Sequence, residues 1–159
     1  MKEFNVSAFE IFDKKWALVT AGNAENYNTM TISWGGLGTL WGKSVATVYV
    51  RPSRYTYDFM EKNDYFTVSF YGEEYKKDLG ILGSKSGRDI DKVALTKLTP
   101  KAVGESMSFE QAQATLLCKK IYHQDLIEEN IPKEAIEKYY GPAETIHRMY
   151  IGEVIEVIR

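Results

Sequence analysis

Cysteine is nearly absent from this chain: Cys118 stands alone among 159 residues. No disulfide can form within it, and no cysteine framework argues for an oxidising compartment. Cys118 itself reads as a small buried apolar residue. Histidine is almost as scarce. His123 and His147 are the only two, they do not stand at a metal-ligand spacing, and with one thiol they make no zinc set; no metal site is expected. An excess of one charge is also missing. Twenty Lys and Arg face 22 Asp and Glu, for a net charge of −2, which leaves no footprint for nucleic acid. No apolar run is long enough to span a membrane. Met1 to Trp16 mixes Lys2, Glu3, Glu10, Asp13, Lys14 and Lys15 with apolar residues, unlike a secretory leader, so the expectation is a cytoplasmic protein. Three motifs are absent as well. Gly35-Gly36-Leu37-Gly38 is not followed by a helical pattern and fails the dinucleotide fingerprint, and Gly83 to Asp89 lacks the spacing of a phosphate-binding P-loop. No Gly-x-Ser-x-Gly nucleophile elbow occurs.

Aromatic residues, by contrast, are plentiful, at 13% of the chain with 11 Tyr. Large amphipathic rings suit strand packing, an oligomer interface or a planar ligand. The length fits one domain over residues 1–159. Short strands are expected at Trp16–Ala21, Asn28–Trp34, Lys43–Val50 and Asp64–Tyr71, with a last one at Thr145–Ile158. Ser108–Tyr122 reads as a long strand, although Glu110–Cys118 also fits a helix. The glycines at 35, 36, 38 and 42 read as a break in the chain. Helices are expected at Ser53–Lys62, with Ser53 as N-cap, at Glu73–Leu82, ended by Gly83, and at Ile131–Tyr140. Strands without a βαβ rhythm favour an antiparallel barrel over a parallel sheet.

Four segments carry chemistry. In Arg51-Pro52-Ser53-Arg54-Tyr55-Thr56 a strand hands over to a helix. Unpaired first-turn amides and the helix dipole make such a start an anion site. Two arginines there oppose the dipole, a cost that an anion such as a phosphate monoester removes; the alternative is solvated arginines paired with acids such as Asp58. Gly83-Ser84-Lys85-Ser86-Gly87-Arg88-Asp89 combines flexible backbone, hydroxyls and cations, which suits an anion, a heteroaromatic edge or an ordinary turn. Between Asn28 and Trp34, Met30, Ile32 and Trp34 face one way and Thr29, Thr31 and Ser33 the other. That hydroxyl face is either solvated or lines a polar ligand, and Trp34 and Trp41 are placed to cover a ring. His147, finally, lies in a strand pattern, where a lone histidine is more often structural than catalytic.

Taken together, Asn28–Trp34, Val50–Thr56, Lys85–Lys92 and His147 with Ile151-Gly152-Glu153-Val154 resemble, in order, the flavin reductase-like FMN-binding split barrels, near their flavoredoxin-like branch. The resemblance spans roughly residues 15–158. It implies a mainly β fold with short helices, a six-stranded antiparallel split β-barrel, that forms a homodimer with FMN at the interface. Carried over by position, it places Asn28, Thr29, Met30, Thr31 and Ser33 at the flavin ring edge and ribityl chain. Arg51, Ser53, Arg54 and Thr56 fall at the phosphate, and Ser84, Lys85, Ser86 and Gly87 over the cofactor. His147 falls near a nicotinamide, as the catalytic candidate. The implied activity is NAD(P)H-dependent flavin reduction. The alternatives are a non-enzymatic flavoredoxin-type carrier fed by a redox protein partner, and a split barrel used for haem, a deazaflavin or protein contacts. Many relatives carry a proline pair where this chain has Trp41-Gly42-Lys43-Ser44, and Thr96–Tyr140 matches only loosely.

Overall fold

The structure, a computed structural model, describes residues 3–142 and 144–159. Met1 and Lys2, part of the N-terminal stretch read above, lie outside the described residues, as does Ala143. Period-two alternation dominates the chain and produces strands. In the first, β1 (Ala17–Gly22), Ala17, Val19 and Ala21 point into one core while Leu18 points into another, so every position is buried. It is followed by β2 (Tyr27–Ile32), β3 (Gly35–Leu40), β4 (Lys43–Val50) and β5 (Tyr65–Phe70). The small pair β6 (Pro100–Val103) and β7 (Ser106–Phe109) precedes two long strands, β8 (Ala114–Asp125) and β9 (Arg148–Ile158). Four α-helices are inserted among the described residues: α1 (Glu10–Asp13), α2 (Tyr55–Lys62), α3 (Lys76–Ser84) and α4 (Lys133–Tyr139).

Seven strands form one sheet in the order β2-β1-β5-β8-β9-β4-β3, every neighbouring pair antiparallel, and β6-β7 form a second sheet. The two edge strands, β2 and β3, are joined by Ser33-Trp34 alone. The sheet therefore curls until its first and last strands meet at that link, without a ladder between them. This is the expected antiparallel split barrel. Its main sheet has seven strands rather than six because Gly35–Leu40, read as a break, is a strand paired along its whole length with β4. The glycines there answer a packing demand at one position: a Cβ on Gly35 would stand 2.6 Å from the Phe12 ring of α1. A two-residue turn closes the β3-β4 hairpin, with Trp41 at φ 51° and Gly42 at φ 71°, the left-handed values that a type I′ turn requires.

The barrel interior is filled by Val19, Ile32, Val48, Phe66, Leu116 and Tyr150, and is capped by Phe59 and Met60 of α2. A second cluster lies on the outer face, where Leu18 meets Leu79 and Leu82 of α3 and Phe109 of β7. Beside it is a layer of buried hydroxyls. Ser69 bonds Ser108 at 2.7 Å and Thr115 at 3.1 Å, and Thr67 donates to the Met107 carbonyl at 2.6 Å. Each bond offsets the cost of burying its polar atom, and together they fasten the small sheet to the barrel wall. Cys118 is fully buried in the barrel core and its thiol is pushed up by that burial. No described helix is long and apolar enough to cross a membrane.

Three boundaries shift with physical consequences. Helix α2 starts at Tyr55 with Arg54 as N-cap, and no side chain caps it, so Ser53 lies in the turn before the helix. Helix α3 runs through Gly83 to Ser84 and is followed by Lys85 as C-cap. Gly83 lets the helix pack closely on β2: a Cβ there would stand 3.1 Å from Thr31 Cβ. The Ser108–Tyr122 stretch is two strands of different sheets: β7 ends at Phe109, a turn follows, and β8 begins at Ala114, which removes the helical alternative.

Candidate cofactor-binding site

Where the barrel edges meet, two cavities adjoin at Ser53 and Arg54. The larger, about 490 Å³, is lined by Met30–Trp34 of β2 and its exit, Tyr49 and Arg51 of β4 and the turn after it, Glu144 and His147. The smaller, about 220 Å³, lies between the start of α2 and the end of α3. Its lining includes Asn28, Tyr55, Thr56, Lys92 and the Gly83–Gly87 segment. Arg54, Tyr55 and Thr56 are the N-cap and first two residues of α2, so the first-turn amides, which have no intrahelical acceptor, border this cavity.

The structure thus gathers twelve of the thirteen expected cofactor residues, and also His147, around these two cavities. Met30, Thr31, Ser33 and Arg51 line the larger, and Asn28, Thr56, Ser84, Lys85, Ser86 and Gly87 the smaller, with Ser53 and Arg54 common to both. Thr29 is the exception. It is fully buried, and its hydroxyl is engaged with Thr20 Oγ1 at 2.8 Å and the Val19 carbonyl at 3.2 Å. The hydroxyl face of β2 is neither solvated nor free for a ligand at this position, because β1 consumes it. Thr31 lines the cavity, yet its hydroxyl donates to the Leu79 carbonyl of α3. Asn28 likewise spends its amide on Thr56 Oγ1 at 2.8 Å. Trp34, 38% exposed, stands edge-on to Tyr139 and 5.1 Å from the His147 ring. Trp41 is elsewhere, at the hairpin tip beside Tyr122.

The two arginines differ. Arg51 pairs with the Glu144 carboxylate and donates to the Tyr139 carbonyl at 2.9 Å. Arg54 donates to the Gly83 carbonyl at 3.0 Å and has no carboxylate at ion-pair distance among the described residues. Its pKa is lowered, chiefly by burial and then by Arg51. Asp58 pairs with Arg88, at 3.5 Å, and with neither of them. His147 Nδ1 lies 2.6 Å from the Tyr140 hydroxyl. Burial, followed by the charges of Arg51 and Arg54, holds the imidazole down at about 4, so it is neutral at physiological pH. Around Gly87 the backbone is pressed close: a Cβ there would stand 2.2 Å from Asn28 Oδ1. No three His, Cys, Asp or Glu side chains among the described residues cluster as metal ligands.

Lys92 and Glu144 carry much of the site's charge and were not singled out by sequence reasoning. Lys92 ends the Lys85–Lys92 motif, so a signal existed for it. Glu144 reaches Arg51 across 93 residues of sequence, and no local pattern announces that contact.

Residues 9–159 match the model of the flavin reductase like domain, and the chain belongs to that family. Solved structures share its fold at low identity. An FMN-binding protein from Thermus thermophilus, with bound 1-cyclohex-2-enone, superposes with a TM-score of 0.72 at 19% identity, covering 100% of this chain and 80% of that one. Flavoredoxin of Desulfovibrio vulgaris (Miyazaki F) gives 0.70 at 20%, covering 99% and 76%. The styrene monooxygenase flavin reductase of Pseudomonas putida S12 gives 0.67 at 14%, covering 91% and 78%.

Proposed function

We propose that this chain binds FMN across the two adjoining cavities and works as an NAD(P)H-dependent flavin reductase-like oxidoreductase, as a homodimer. The observation that carries the reading is the division of labour between the cavities. Ser53 and Arg54 wall both; the small one adds Lys85, Lys92, further hydroxyls and the start of a helix, and the larger adds Trp34, Tyr49 and a neutral imidazole beside the Arg51–Glu144 pair. A planar ring with a phosphate tail has that polarity. The donor set fits such a group, since Arg54 and the α2 amides supply charge and N–H donors for a dianion.

When bound, FMN supplies hydride acceptance from a reduced nicotinamide, chemistry that no side chain here provides. The protein's share is binding and electrostatics. Arg54, with Ser53 and Thr56, holds the phosphate end. Arg51 is reached by the cofactor only when Glu144 gives way. The Tyr140 hydroxyl, 2.6 Å from Nδ1 of His147, holds the ring in place. The neutral imidazole at the larger cavity is a hydrogen-bonding group rather than an acid, which suits orienting a nicotinamide amide and not protonating a substrate.

The decisive experiment is anaerobic mixing of FMN-loaded protein with NADH and, separately, NADPH. Bleaching of the flavin's visible band by either supports the reductase reading. A protein that retains FMN through gel filtration and is bleached by neither is a carrier fed by a protein partner, and a protein that never takes up FMN overturns the cofactor assignment itself.

A further inference from the structure

Lys92 is buried, with 3% of its surface exposed, yet no carboxylate pairs with it among the described residues. Its Nζ donates to two carbonyls, Leu82 at 2.8 Å and Lys85 at 3.2 Å. These belong to the last turn of α3 and the residue after it, so one ammonium ties down the backbone from which Ser84–Gly87 project into the small cavity. A helix C-terminus is a favourable place for a cation, but two neutral acceptors do not balance a buried charge. The groups facing it add to the imbalance. Arg54 at the head of α2 repels it, Tyr55 of α2 lines the same cavity, and Tyr27 of β2 lines the neighbouring one that Lys92 also borders. On its own loop Arg88, Asp89 and Asp91 are exposed to solvent. The arrangement has a cationic wall and no internal anion.

We propose that Lys92 is the positioning residue and buried counter-charge for the cofactor's phosphate, and that phosphate binding in the small cavity drives proton uptake by Lys92 from solvent. This rests on the FMN reading above and goes further, because it makes occupancy of the site depend on pH through one named amine. Burial, followed by Arg54, holds the Lys92 amine down at about 8. A dianion alongside restores the charged form and raises that value. At pH 7 the amine already carries its proton, so binding takes up little. At pH 9 the unliganded amine is mostly neutral, and binding must collect close to one proton. A phosphate monoester, whose second ionisation lies near 6, is about nine-tenths dianionic at pH 7 and essentially all dianionic by pH 8, and what remains of its ionisation releases protons on binding rather than taking them up.

Calorimetric titration of FMN into the full-length, flavin-free protein, in two phosphate-free buffers of different ionisation enthalpy, reads the proton count directly. The expected uptake is small at pH 7 and approaches one proton at pH 9, and affinity falls on the order of tenfold between pH 7.5 and 9.5, as linkage requires. Riboflavin, which lacks the phosphate, takes up none. Lys92→Met removes the uptake and the pH slope, and so separates Lys92 from ionisation of the flavin itself. Lys92→Arg, charged at every pH, binds equally at pH 7.5 and 9.5. Wild-type FMN binding at pH 9 without proton uptake, or undiminished uptake in Lys92→Met, overturns the role of Lys92 and leaves the cofactor reading standing. Failure of FMN to bind even at pH 7 overturns both.

Discussion

Arg51 and Arg54 lie three residues apart in sequence and meet different fates. Arg51 is engaged by Glu144 and the Tyr139 carbonyl, whereas Arg54 has only the Gly83 carbonyl among the described residues. Arg54→Ala is therefore expected to weaken FMN binding by about 1.5–3 kcal/mol, the range for a hydrogen bond to a charged group, and Arg51→Ala by less. Glu144→Gln, which removes the internal competitor for Arg51, is expected to tighten binding. Flavin fluorescence titrations check all three, and equal losses at Arg51 and Arg54 would contradict the assignment. His147 gives a pH signature. Its pKa falls from 6.5 in the unfolded chain to about 4 in the fold, so between these values the unfolded chain binds the extra proton. The stability contributed by the neutral ring is present above pH 6.5 and is lost as pH falls toward 4. The loss is on the order of 1–3 kcal/mol, read as a urea midpoint that drops with acid and drops less in His147→Gln.

Single backbone approaches govern the elements. In the middle of β9, a Cβ on Gly152 would stand 2.6 Å from the Phe66 ring and 2.7 Å from Cys118 Cβ. Both neighbours are buried on strands flanked by other strands, so neither can move aside freely. Gly152→Ala is expected to cost about 1–3 kcal/mol, the usual penalty for overpacking a close-packed core, visible as a lower Tm. Gly87→Ala meets the same obstacle at the site rather than in the core. There the added methyl presses on Asn28, whose amide holds Thr56 at the head of α2, so its main effect falls on FMN affinity. These glycines sit in a strand and a loop where nothing in the local pattern requires them; their neighbours come from elsewhere in the chain.

For the whole molecule, curling of the sheet is the event that makes the site. β2 and β3 are sequence neighbours and lie at opposite edges of the sheet order, so closing the barrel brings Ser33-Trp34 beside Arg51 and His147. The outward side of β3 is bare, with no atom within 4 Å of a Cβ built on Gly36 or Gly38, and the adjoining Trp41 is 66% exposed. Sedimentation equilibrium is expected to show a dimer, as the reading of a shared flavin site requires. A monomer that still holds FMN would contradict that model.

Alternation of apolar and polar residues by itself determined most of the strands, since period two dictates which side chains share a face, and their succession without a βαβ rhythm favoured an antiparallel barrel. It placed Lys43–Val50 at the boundaries the structure shows. Motif order likewise brought forward twelve residues that the fold gathers around the two cavities. It misread Gly35–Leu40, because ladder bonds to β4 outweigh the low strand propensity of glycine, and it carried no sign that a hydroxyl on β1 engages the Thr29 side chain. Only the tertiary structure decided that Glu144 occupies Arg51, that Tyr140 engages His147, and that Lys92 lies buried with no acid beside it among the described residues. The physical reason is that charge balance and burial are sums over neighbours far apart in the chain, and local pattern carries no record of them.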